Sequence, residues 1–169
     1  MTPHTLNQFN QLAPEQQRAL LLDCCHSSRW AERLLELGPV RSVGQIQNRA
    51  FKAWSKLQET DYLEAFAAHP RIGDLQRLKE KFARSEQGQV AHADETTLKE
   101  LQQLNDAYFE KFGFIFIICA TGKSAREMLA AIKSRISNSR EQEIGNAAAE
   151  QEKITRLRLE NLFAVQPDQ

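Results

Sequence analysis

The chain has 169 residues, 22 basic and 22 acidic side chains, and four histidines. That length suits one domain spanning 1–169 with a core that needs no disulfide or metal staples. The even charge argues against a nucleic-acid partner, which calls for a basic excess.

No stretch reaches the roughly 18–20 apolar residues of a membrane helix. The polar start from Met1 to Asn10 lacks the basic and apolar regions of a signal peptide. Cys24, Cys25 and Cys119 show no C-x-x-C spacing, so neither a disulfide framework nor a zinc knuckle is expected, and the thiols read as small packed groups. These features lead us to expect a soluble, cytoplasmic protein with no membrane partner.

Helical patterns fill most of the chain. Pro14 with Glu15, Gln16 and Gln17 suits a first turn, and Leu20, Leu21 and Cys24 follow as an apolar face. A second helix is predicted from Ser28 to Leu37, stopping at Gly38-Pro39. Val43, Ile46, Ala50, Ala53, Trp54 and Leu57 have the three-four spacing of a third. Thr60 or Asp61 is the expected cap of a short helix bearing Leu63, Phe66 and Ala67, which closes before Pro70. Residues 71–94 are the least regular, with a helical piece suggested by Leu75, Leu78 and Phe82.

From Asp94 a strong helix runs through Leu98, Leu101, Leu104, Tyr108 and Phe112 to Gly113. Ser124 with Glu127, and Ser139 with Gln142, form capping-box patterns ahead of two more helices, the last reaching Phe163. Phe114 to Cys119 is the exception. Its apolar run has the pattern of a buried strand, yet no partner strand is visible, and one strand cannot satisfy its own backbone. The reading is an all-α, single-domain, compact multi-helix bundle with a buried extended connector around 114–120. Its free amides and carbonyls then need other partners, and a polar ligand is one candidate.

Several motifs are dismissed. Gly122-Lys123-Ser124 resembles the end of a phosphate loop, but Ile117 stands where that motif needs glycine. His4, His26, His69 and His92 have neither H-x-x-x-H spacing nor neighbouring cysteines, so no metal site is expected. There is no G-x-S-x-G elbow. His69-Pro70 is presented by stiff backbone at a helix end, where a histidine packed on the helix C-terminal carbonyls is the plainer account. Glu86-Gln87 has the composition of a solvated loop, and Arg158 that of the polar side of an amphipathic helix.

Jointly, these segments carry a resemblance. His69-Pro70-Arg71-Ile72-Gly73, Ser85-Glu86-Gln87, Leu104-Asn105-x-x-Tyr108-x-x-Lys111-Phe112-Gly113-Phe114-x-Phe116, Arg135-Ile136-x-Asn138 and Ile154-x-x-Leu157-Arg158-Leu159-x-x-Leu162 follow in order, within a likeness that extends from Phe9 to Leu162. In that order they resemble the OHCU decarboxylase family (2-oxo-4-hydroxy-4-carboxy-5-ureidoimidazoline decarboxylase). The resemblance implies an all-helical homodimer that binds a small anionic substrate and releases (S)-allantoin, the last step from urate. It implies catalytic roles for His69, Glu86 and Arg158. Pro70 and Gln87 would contact substrate, as would backbone groups of Phe116, Ile117, Ile118, Cys119 and Ala120. The family's serine three residues before the glutamate is replaced here by Ala83, with Ser85 beside Glu86.

The implied reaction is a cofactor-free carboxy-lyase step, since the substrate's own C=N can accept the electron pair that most decarboxylases pass to a cofactor. Arg158 would clamp the acid with its planar fork of donors. Phe114, Phe116 and Ile118 would wall the departing carboxylate, and His69 would handle the proton. Glu86 would hold the substrate hydroxyl, orient His69 or share the proton. Two other readings compete: a decarboxylase of another small ureido or imidazoline acid, and a helical interaction protein with no catalysis. The chain ends Gln166-Pro167-Asp168-Gln169, without a peroxisomal signal, which agrees with the cytoplasm.

Overall fold

A computed structural model describes residues 4–70 and 95–163. Within them the fold is all-α: α1 (Leu6–Gln11), α2 (Pro14–Cys24), α3 (Ser28–Glu36), α4 (Val43–Ser55), α5 (Glu59–Ala67), α6 (Glu95–Phe112), α7 (Ala125–Arg135) and α8 (Arg140–Leu162). The only extended pairing among the described residues is an isolated bridge between His4 and Phe163. No described helix is long and apolar enough to cross a membrane. The helical piece expected near Leu75 to Phe82 lies outside the described residues.

The chain divides into two compact units, Met1–Ala68 with Ala148–Gln169, and His69–Ala147. In the first, the apolar faces of α2, α3 and α4 bury Leu21, Trp30, Leu34, Ile46 and Trp54, joined by Leu159 and Leu162 of α8. A fully buried side chain of this size contributes about 1.5–3 kcal/mol. Both indoles also find an acceptor: Trp30 Nε1 donates to the Ala50 carbonyl (3.1 Å) and Trp54 Nε1 to that of Ala148 (2.9 Å). Tyr62 packs edge-on to Trp54 at 4.6 Å and donates its hydroxyl to the Trp54 carbonyl.

The start of α3 fixes α5. Ser27 offers no side-chain cap, and the Glu64 carboxylate takes its place, accepting from the Ser28 amide (2.9 Å) and Ser28 Oγ (2.7 Å). A carboxylate at a helix N-terminus also meets the positive end of the helix dipole. α5 is thereby registered on α3, and its last turn delivers the chain to His69.

α5 begins at Glu59, one residue before the earlier of the two expected caps. Gln58 is the N-cap, and Asp61 sits three residues on, its Oδ2 accepting from the Gln58 amide (3.1 Å). Asp61 therefore serves the cap from inside the helix. Thr5 and Gln8 form a full capping box for α1, a helix that the polar N-terminal composition had hidden. The boxes at Ser124 and Ser139 form as expected. The last helix stops at Leu162, and Phe163 leaves it to pair with His4.

In the second unit α6 and α7 pack together, burying Leu98, Leu101, Tyr108, Met128 and Ile132. Gly113 ends α6 with φ +82°, a left-handed conformation that a side chain would strain. The chain then runs without regular structure from Ile115 to Ala120, in keeping with the expected connector.

Candidate functional site

The connector is held by side chains. Phe114 and Phe116 stack around Tyr108, with ring centroids at 5.9 and 5.3 Å, and Phe112 lies 4.4 Å from the same ring. This aromatic group anchors the even-numbered phenylalanines and makes Phe116 and Ile117 buried, while Ile118, Cys119 and Ala120 are half-buried. No amide from Ile115 to Ile118 finds a backbone carbonyl among the described residues.

Behind the rings lies a polar cluster. Glu143, wholly buried, accepts from Arg135 Nε (2.8 Å), Asn138 Nδ2 (2.9 Å), Asn146 Nδ2 (2.6 Å) and the Tyr108 hydroxyl (2.5 Å). Burial by itself would push this carboxyl up, but the hydrogen bonds from Asn138, Tyr108 and Asn146, with the Arg135 charge, hold it below the usual carboxylate range. The Tyr108 phenol is pushed well above its ordinary value by burial and by donating to a carboxylate. Arg135 reaches further: Nη1 donates to the Ile117 carbonyl (2.8 Å), and its guanidinium lies 4.5 Å above the Phe116 ring. Its Nη2 is buried with no partner among the described residues.

His69 is half-buried and Pro70 exposed, directly after α5. Both residues and the connector lie in or at the second unit, which starts at His69. Glu86 and Gln87 lie outside the described residues. Arg158 belongs to the first unit, on the exposed side of α8, where Nη1 donates to the Cys24 carbonyl (3.3 Å). The break between α2 and α3 that frees this carbonyl also holds Cys25, which is buried. Burial pushes the thiols of Cys24 and Cys25 up to about 12, so both are inert thiols at neutral pH.

Sequence reasoning assigned no role to Arg135, Asn138, Glu143 or Asn146. Arg135, Asn138 and Tyr108 did fall inside the motif segments, which was a usable signal. Glu143 carried none: an acidic residue in the first turn of a helix is ordinary, and its partner Tyr108 is 35 positions away.

Comparison with known proteins adds to this geometry. A family model described as OHCU decarboxylase matches residues 10–160. The uric acid degradation bifunctional protein TTL of Arabidopsis thaliana is 42% identical over 147 residues, 83% of this chain and 45% of that protein. The 2-oxo-4-hydroxy-4-carboxy-5-ureidoimidazoline decarboxylase of Halalkalicoccus jeotgali is 29% identical over 165 residues, 96% of this chain and 93% of that one. A crystal structure of OHCU decarboxylase in the presence of (S)-allantoin superposes with a TM-score of 0.72 at 37% identity, covering 90% of this chain and 99% of that chain. The chain spans less than half the length of the bifunctional relatives it matches.

Proposed function

Because the chain belongs to the OHCU decarboxylase family, we propose that it converts 2-oxo-4-hydroxy-4-carboxy-5-ureidoimidazoline to (S)-allantoin, closing the route from urate. The observation that carries this reading is the likeness, across nearly the whole of both chains, to an OHCU decarboxylase crystallised with that product.

In the proposed reaction the bond from the ring carbon to the carboxylate breaks, and its electron pair moves toward the adjacent C=N. Carbon dioxide leaves. The ring nitrogen that receives the pair takes a proton. The resulting enol is protonated at the ureido-bearing carbon, and its hydroxyl gives up its own proton to become the ring carbonyl of allantoin. The substrate supplies the electron sink, so the enzyme acts without a cofactor and works by placement and proton transfer.

His69 delivers the proton to one face, since an imidazole titrates close to neutral pH. Glu86 holds the substrate hydroxyl or orients His69, and Pro70 and Gln87 complete the walls. Arg158 clamps the anionic group, its guanidinium steadied by the Cys24 carbonyl. Backbone groups from Phe116 to Ala120 meet the ring, a role supported by the amides from Ile115 to Ile118, which find no backbone carbonyl among the described residues. The working form is one catalytic domain, paired as a homodimer in the cytoplasm.

The test is circular dichroism of urate passed through urate oxidase and hydroxyisourate hydrolase, with and without this protein. A rapid rise of one-handed allantoin is expected. Slow, racemic appearance at the uncatalysed rate would refute the assignment.

A further inference from the structure

We propose that Arg135 is a positioning residue that aims the Ile118 amide at the substrate. This deepens the decarboxylase reading and rests on it.

A peptide unit is planar and trans, so its carbonyl and the following amide point in opposite directions. Arg135 Nη1 holds the Ile117 carbonyl at 2.8 Å. The Ile118 amide, in the same plane, is therefore turned away from the guanidinium. It has no partner among the described residues. Burial changes at the same place, since Ile117 is buried and Ile118 only half-buried. An unpaired donor held at the edge of a core is suited to a carbonyl or carboxylate oxygen arriving from outside.

The guanidinium that sets this plane is itself fixed from two sides. Its Nε is bound to a carboxylate that accepts three further hydrogen bonds, and its face rests on Phe116. The Arg135 side chain is 12% exposed and Glu143 is fully buried. Two charges withdrawn from water are costly unless fully paired, and well-packed apolar residues commonly serve stability as well. The geometry explains their presence differently: a planar fork can grip Glu143 and the Ile117 carbonyl together, whereas a lysine ammonium is a single point charge.

The experiment compares wild type, Arg135→Lys, and Arg135→Ala with and without added guanidinium in the allantoin assay. Ser139→Ala, which removes a helix cap near the cluster, serves as the stability control. Arg135→Lys should raise KM about tenfold and change kcat about threefold or less, the pattern of a lost contact present in both ground and transition states. Guanidinium should restore part of the KM of Arg135→Ala. The Ser139→Ala variant should melt earlier with an unaltered KM.

A wild-type KM in Arg135→Lys, with only a lower melting temperature, would overturn the proposal. Should wild type itself fail to accelerate allantoin formation, the decarboxylase reading falls first. Hydrogen exchange across 113–121 then decides the positioning role separately: faster exchange in Arg135→Lys supports it, and exchange equal to wild type sinks it.

Discussion

Replacing Tyr108 by phenylalanine isolates one hydroxyl in the buried cluster. The ring stays among Phe112, Phe114 and Phe116, so apolar packing is preserved. What disappears is a donor to the wholly buried Glu143 carboxylate. Hydrogen bonds to charged groups contribute about 1.5–3 kcal/mol. Glu143 keeps Arg135, Asn138 and Asn146, so the expected loss is near the middle of that range, about 2 kcal/mol. For a chain of this size each kcal/mol lowers Tm by about 2–4 °C, giving a fall of about 4–8 °C.

The pH dependence fixes the sign. Glu143 has a folded pKa below its unfolded value, which is about 4.3. Its stabilisation is therefore fully present above that unfolded value and is lost as pH falls through the folded one. Tyr108→Phe removes one of the hydrogen bonds that depress the folded pKa, so the variant has less to lose in acid. Thermal melts followed by circular dichroism should show the largest gap from wild type at pH 7 and a narrower gap toward pH 3. Melting within about 1 °C of wild type at pH 7, or a gap that widens in acid, would refute the reasoning.

Other substitutions probe the site directly. His69→Ala and Glu86→Ala should each cut turnover about a hundredfold or more, measured as initial rates of allantoin formation; near-normal rates in both would remove them from the chemistry. Arg158→Ala should chiefly raise KM, and an unchanged KM would count against the clamp. With Cys24 and Cys25 buried and pushed up to about 12, the native chain should show one readily alkylated thiol, the half-buried Cys119. Allantoin should slow that labelling. Rapid modification of two or three thiols, read by mass spectrometry, would contradict the packing of the α2–α3 break.

Sequence periodicity revealed the helices because each buries a continuous face, and Trp30, Leu34, Ile46 and Trp54 are the residues that do so. Stops were equally readable at Gly38 and Gly113, both at positive φ. Errors came where local chemistry has more than one solution. Asp61 has the composition of an N-cap, yet it serves Gln58 from the third helical position. Thr5 and Gln8 close a box inside a segment whose polarity hid a short helix. The connector was legible as an extended apolar segment because six successive apolar residues lacked a partner strand in the sequence. What fixes it was not, since Tyr108, Arg135 and Glu143 meet only through tertiary packing. The candidate residues divide likewise: His69 and Arg158 are proposed from the motif resemblance, whereas Arg135's hold on Ile117 needed coordinates.

The bridge at His4 has a consequence for how this fold accepts neighbours. The His4 amide donates to the Leu162 carbonyl at 2.9 Å, and Phe9 packs edge-on against Phe163 at 5.4 Å. Because the bridge is parallel, the chain enters it at His4 and leaves it at Phe163 in the same direction. Modules spliced upstream of the one and downstream of the other would therefore start side by side but face opposite ways. Swapping such a module from one end to the other would keep it beside the same bridge but reverse the way it departs.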